Sequence, residues 1–172
     1  MNPAAANHRR RRLNNLQMSS DGSTTTLLFD PASKPALGRR VTQAELREFA
    51  LLLTSKVAGK RPFTCLIAGD AELRRLNRQF RKKKYATDVL SFPSGTDSGP
   101  LGEIAISADR ALAQAQEFGH SVGDEIRILL LHGVLHLTGL DHESDKGEMA
   151  KAEARWRRSF KLPQSLTERA AL

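Results

Sequence analysis

Three histidines crowd into one short stretch, "HGVLHLTGLDH" at 132–142. Helical residues four apart are turned by about 40° and displaced by about 6 Å along the axis, so His132 and His136 share a face and can hold one ion together. Gly139 follows, a residue free to take the positive φ that closes a helix and reverses the chain, which lets His142 swing back toward the first two. The pattern HxxxHxxGxxH therefore offers three imidazoles to one ion per chain and leaves the fourth tetrahedral position of a zinc open to water. That arrangement belongs to catalytic rather than structural zinc.

The position after the first histidine narrows the chemistry. A zinc-protease helix reads HExxH, and its glutamate is the general base of peptide hydrolysis. Here that position is Gly133, so a conventional metallopeptidase is not expected. Zinc lowers the pKa of bound water to about 7, which keeps a nucleophile or base available without the side chain. RNA brings a nucleophile of its own, the 2′-hydroxyl, and asks only for a proton acceptor and for something to stabilise charge on the phosphate. His8 and His120 stand outside the cluster, the first in the N-terminal extension and the second in a loop beside Gly119, and neither is assigned to the metal.

To present these histidines, a helix must run from about Asp124 to Thr138, preceded by Ser121 and closed by Gly139. Upstream, "TTTLLFD" (24–30) reads as a strand and "SKPALGRR" as a loop. Thr42 with Glu45 forms a capping box that opens an amphipathic helix to about Val57, with Leu46, Phe49, Ala50 and Leu53 on one face. "PFTCLIAG" is a second strand, and Asp70 is placed to cap the helix "AELRRLNRQF". "TDVLSFP" and "GEIAIS" are short strands parted by the turn "SGTDSGPL". Ala108–Phe118 returns to helix, and a last helix is expected from Ser144 to Phe160. Strands interleaved with helices imply an α/β or α+β layered domain with helices packed on a small mixed β-sheet. The 172 residues suit one domain over 23–162, after a disordered Arg-rich extension over 1–22 and before a short C-terminal tail over 163–172.

Charge points to the partner. The net charge is +8 and the isoelectric point about 10.1, which favours a polyanion, nucleic acid first. Half of the excess is Arg9 to Arg12, leaving 23 basic and 19 acidic side chains beyond residue 20. Within that body, "RRLNRQFRKKK" at 74–84 holds seven basic residues and no acid, a concentrated patch. No run approaches the roughly 20 apolar residues of a membrane span, and a soluble, cytoplasmic protein without a membrane partner is expected. Cys65, the single cysteine, sits in the apolar run "FTCLIA" and reads as a buried structural thiol.

Two of these motifs, "TDVLSFP" at 87–93 and "HGVLHLTGLDH" at 132–142, joined by "LGEIAIS" at 101–107 and preceded by "LNRQFR" at 76–81, resemble the YbeY family of metal-dependent endoribonucleases in order and spacing. The resemblance spans roughly Asp70 to Phe160. It implies an α+β fold, a small mixed β-sheet flanked by helices with a metal cleft, in which His132, His136 and His142 are zinc ligands and Arg81 matches the family's functional arginine. It further implies single-stranded rRNA as substrate, with action on the small ribosomal subunit at the 3′ end of its rRNA and in ribosome quality control. Arg81 then stands to hold a scissile phosphate and stabilise its charge. Around it Arg74, Arg75, Arg78, Lys82, Lys83 and Lys84 are candidates for sequence-independent attraction to RNA. Asp88 and Asp141 are candidate proton acceptors or partners that orient a ligand histidine, although Asp141 could equally cap a turn. Ser91 is placed to line the cleft or to pack. Leu140 stands where the family commonly carries an aromatic residue. Two rival readings follow from the same residues: a metal-dependent hydrolase of another substrate, and a non-catalytic ribosome-assembly factor with a structural zinc.

Overall fold

Strand β2, Phe63–Ala68, reads "FTCLIA" without polar alternation, the signature of a strand covered on both faces. The computed structural model describes residues 23–164 and 166–170, so the extension expected over 1–22 lies outside the described residues. Within them β2 is internal to a four-stranded sheet in the order β1-β2-β4-β3. β1 (Thr26–Phe29) and β4 (Gly102–Ser107) pair with β2 in parallel. β3 (Val89–Pro93) closes the sheet antiparallel to β4. This is the mixed sheet expected of the α+β class.

Alternate side chains of the sheet serve two cores. Cys65, Ile67, Ile104 and Ile106 join the larger one, together with Leu46 and Leu53 of helix α2 (Gln43–Lys56) and Leu129 and Val134 of helix α5 (Val122–Leu137). On the opposite face Leu66, Ala68, Leu90 and Ala105 meet Leu73 and Leu76 of helix α3 (Asp70–Arg81). Helix α5 is apolar on every side over Ile128–Leu131, and all four are buried, because it is itself an interior element. It lies against β3 and β4 and is flanked by α2, by α4 (Ala108–Phe118) and by α6 (Glu148–Ser159). No helix among the described residues is long and apolar enough to cross a membrane. Cys65 is fully buried, and burial pushes its thiol pKa up.

Several local expectations hold at residue level: Thr42 caps α2 through the Glu45 amide at 3.3 Å, and Ser121 caps α5 through the Asp124 amide at 3.0 Å. Others are corrected. "SKPALGRR" is not a simple loop; Asp30 accepts from the Ala32 amide and opens a 3₁₀ turn, Pro31–Ser33, which runs into helix α1, Lys34–Leu37. Ala36 and Leu37 are buried there, so core contacts order a segment too short to be helical by propensity. Asp70 does not cap α3. Gly69 occupies the cap position, and the Asp70 carboxylate accepts from Ser107 Oγ at 2.6 Å and from Arg110 Nε at 3.3 Å. The last long helix begins at Glu148 rather than Ser144, because Asp145 accepts from the amides of Gly147 and Met149 and sets the start four residues later. Beyond Leu162, helix α7 (Leu166–Ala170) packs back onto α5 and α6.

Candidate metal centre

The last two turns of α5 carry His132 and His136 on one face, and the chain leaves the helix through Gly139 at φ +98°. Asp141 then organises the reversal, its Oδ1 accepting from the Glu143 amide at 3.1 Å and its Oδ2 from Ser144 Oγ at 2.9 Å. That turn returns His142 to the helix. The three imidazoles offer ring nitrogens that all lie within 4.8 Å of one another, and they grade from buried His132 through half-buried His136 to exposed His142. Their ring centroids are 4.7 to 5.2 Å apart.

Hydrogen bonds assign the faces of the first two rings. His132 Nδ1 donates to Glu153 Oε1 at 3.0 Å, and His136 Nδ1 donates to the Leu140 carbonyl at 3.0 Å. Both rings are thereby held in the tautomer that leaves Nε2 unprotonated. The two Nε2 atoms lie 3.1 Å from each other, so two lone pairs converge on one point and repel unless a cation sits between them. Tetrahedral zinc with nitrogen at about 2.1 Å separates its ligand atoms by about 3.4 Å, close to that distance. The donor set and its orientation fit a divalent metal.

Electrostatics agree. Burial, and then the neighbouring His132 and His142, hold the His136 pKa below its ordinary value of 6.5 against the opposing pull of the Leu140 carbonyl and Asp141. The ring is neutral, as a ligand must be, at physiological pH. Glu153 is fully buried. Burial pushes its carboxyl up, but the hydrogen bond and charge of His132 and the bonds from Thr167 outweigh it, so the pKa falls below 4.5 and the group stays ionised.

Gly133 turns away from this cluster. A Cβ on it would meet Ile104 Cδ1 and Cγ2 at 3.1 Å and Ser91 Oγ at 3.2 Å. Ser91 Oγ also donates to the Gly133 carbonyl at 3.2 Å, so Ser91 ties strand to helix. The position where a protease helix carries its glutamate therefore faces the sheet at Ile104 and Ser91, and a larger side chain there would have to displace them.

The remaining candidates are distributed unevenly. Asp141 lies beside the cluster, with its pKa lowered first by the Glu143 amide, then by Ser144, and to a lesser extent by His136 and His142. Asp88 is committed elsewhere: its Oδ1 accepts from the Val89 amide at 2.8 Å and from Thr87 Oγ1, and its Oδ2 from Gln114 Nε2 at 3.1 Å. Arg81 is the exposed last residue of α3, followed by Lys82 in a left-handed conformation at φ 59°. Helix α3 covers the sheet face opposite α5, and the chain passes from Arg81 through 82–88 into β3, which reaches α5 at Ser91. Arg74, Arg78, Lys83 and Lys84 are exposed. Arg75 is paired with Glu72 at 2.6 Å, which raises its pKa and satisfies much of its charge locally.

Glu153 and its partner Thr167 were not found by reading the motifs. The signal for Glu153 is a glutamate four residues after Met149, on the stripe that α6 buries, where an unpaired acid would be costly. Thr167 carries no such signal.

Comparison with known proteins covers the segment that carries this centre. The family model described as Endoribonuclease YbeY matches residues 36–161. A protein of Solibacter usitatus named Endoribonuclease YbeY is 56% identical over 154 residues, covering 88% of this chain and 97% of the relative. Its namesake from Helicobacter pylori strain J99 is 45% identical over 127 residues, covering 71% of this chain and 90% of the relative. The solution structure of TM1509 from Thermotoga maritima superimposes with a TM-score of 0.55 at 26% identity, covering 80% of this chain and 91% of that one. A mixed sheet with the histidine helix on one face, a family match that includes all three histidines, and relatives alike over most of their length lead to one conclusion: the chain belongs to the YbeY endoribonuclease family.

Proposed function

We propose that this chain is a zinc-dependent, single-strand-specific endoribonuclease of the cytoplasm, acting on the 3′ end of small-subunit rRNA and in ribosome quality control. One observation carries the reading: two imidazoles with their Nδ1 atoms satisfied and their Nε2 atoms 3.1 Å apart, joined by a third from the turn, beside a helix position at 133 that carries no glutamate and faces the sheet. The names of the relatives, Endoribonuclease YbeY, support RNA as the substrate. Zinc bound there supplies Lewis acidity at a phosphodiester and lowers the pKa of water.

The chain's own residues do the rest. His132, His136 and His142 hold the ion, Glu153 and the Leu140 carbonyl orient the first two rings, and Asp141 adds negative charge beside the ligands. Arg81 holds the phosphate through paired N–H donors and offsets charge that develops there. Arg74, Arg78, Lys82 and Lys84 attract the backbone without regard to sequence. Asp88 accepts from Val89, Thr87 and Gln114 and shapes the entry to β3.

Cleavage of a single-stranded rRNA 3′-end fragment by zinc-loaded protein tests this, beside His136→Ala and Arg81→Ala at matched folded concentration with bound zinc quantified. The reading stands if the wild type cuts, both variants lose cutting, and the arginine variant keeps its zinc. Equal RNA binding by all three with no cleavage above background would replace it with a ribosome-assembly factor stapled by zinc.

A further inference from the structure

Glu153 is a fully buried carboxylate whose two oxygens serve two different elements. Oε1 takes the His132 Nδ1–H at 3.0 Å. Oε2 takes the Thr167 amide at 3.1 Å and the Thr167 hydroxyl in a second, shorter bond. An ionised carboxylate removed from water needs its lone pairs satisfied, and the two donors on Oε2 fix its rotation so that Oε1 aims at the ligand ring.

The donor segment is anchored independently of Glu153. Arg169 donates through both terminal nitrogens to the carboxylate of Glu125, each at 2.9 Å, and Glu125 is fully buried on α5, seven residues before His132. The Arg169 guanidinium lies 4.2 Å from the centre of the Phe118 ring, and Leu166 packs against the main core. Helix α7 is thus held to α5 by Arg169 on one side of Thr167 and to the core by Leu166 on the other, and the threonine presents its hydroxyl from a frame that Glu153 does not have to hold.

We infer that Thr167 is a positioning residue of the metal centre, fixing the His132 ring through Glu153 and making the C-terminal helix part of the metal-binding machinery. The family match ends at residue 161, so Thr167 and helix α7 lie beyond the matched segment while Glu153 and His132 lie within it. The inference rests on the metal-binding reading of the three histidines and adds to it the residue that orients the most buried ligand. Loss of the outer partner of a ligand histidine, here Glu153, costs about 10- to 100-fold in metal affinity, and loosening that partner through Thr167 costs part of it.

The test uses the full chain as wild type, Thr167→Val, Thr167→Ala and Thr167→Ser. Zinc affinity is measured by chelator competition, thermal stability without metal is measured alongside, and the exchange of the His132 Nδ1 proton is followed by NMR. Valine and alanine are expected to weaken zinc binding about tenfold and to speed that exchange, while serine restores both to near wild type. Alanine keeps the backbone donor and covers the case in which valine disturbs folding. Zinc binding by folded valine or alanine variants within about twofold of wild type overturns the inference, as does a serine variant that fails to restore it. A wild type that binds no stoichiometric zinc overturns the metal reading itself, a result distinct from wild type and variants binding alike.

Discussion

Gly133 on α5 and Ile104 on β4 approach so closely that a methyl group on the glycine would lie 3.1 Å from two carbons of the isoleucine. The contact sets how deeply the histidine helix sits on the sheet. A glutamate at 133 would begin its side chain in this seam, against Ile104 and Ser91. Gly133→Glu is expected to destabilise the protein by about 3 kcal/mol or more, through steric displacement and an unpaired buried charge, and to show no peptidase activity. Urea unfolding with a peptide-cleavage assay checks both.

Arg81 and its neighbours separate chemistry from attraction. Arg81→Ala should lower RNA cleavage about 100-fold, the scale of losing one preorganised charge-stabilising donor, with zinc content unchanged. Lys84→Ala should weaken RNA binding modestly on every sequence and reduce the salt dependence of log K by about 0.7, as for one lost phosphate contact on a single strand. Binding measured across a salt series beside single-turnover cleavage distinguishes the two. Equal losses in both assays for both variants would remove the special role of Arg81.

Acid should act on the centre in two stages. The His136 pKa in the folded protein lies below the 6.5 of the unfolded chain, so the unfolded state binds more protons between those values and stability declines as pH falls beneath 6.5. Glu153 lies below its unfolded 4.5, so its contribution is complete above 4.5 and is lost as pH falls through the lower folded value. Both shifts have the same sign. Metal-free protein should therefore be most stable above pH 6.5 and weaken progressively toward acid, and zinc affinity should fall over the same range as protons compete for the imidazoles. Denaturant unfolding and zinc titration at several pH values check this.

Arg169 and Glu125 form a pair with side chains 6% and 0% exposed. Arg169→Ala leaves the Glu125 side chain with His120 as its remaining partner among the described residues, and removing one partner of a buried pair costs about 3 to 5 kcal/mol. Glu125→Gln in the same chain should recover part of that loss, because the uncompensated charge is gone. A double-mutant cycle by urea unfolding measures the coupling, and additive effects would show that the pair is not coupled.

The three histidines, the glycine that turns His142 back, the caps at Thr42 and Ser121 and the two-faced burial of "FTCLIA" were all readable from the chain. Each follows from local spacing: a helical period, a side chain within reach of its own helix's amides, a strand with no polar alternation. Asp70 shows where such reasoning stops, since it does not cap α3 and a more distant partner, Ser107, holds its carboxylate. The facing of Gly133 toward Ile104, the commitment of Asp88 to Gln114, and the chain of contacts from Thr167 through Glu153 to His132 join residues 14 to 29 positions apart. Sequence alone determined which residues can bind a metal and what they lack. Tertiary structure decided which way they point and what holds them, because a buried carboxylate or a tight helix–sheet contact acquires its partners only when distant segments pack.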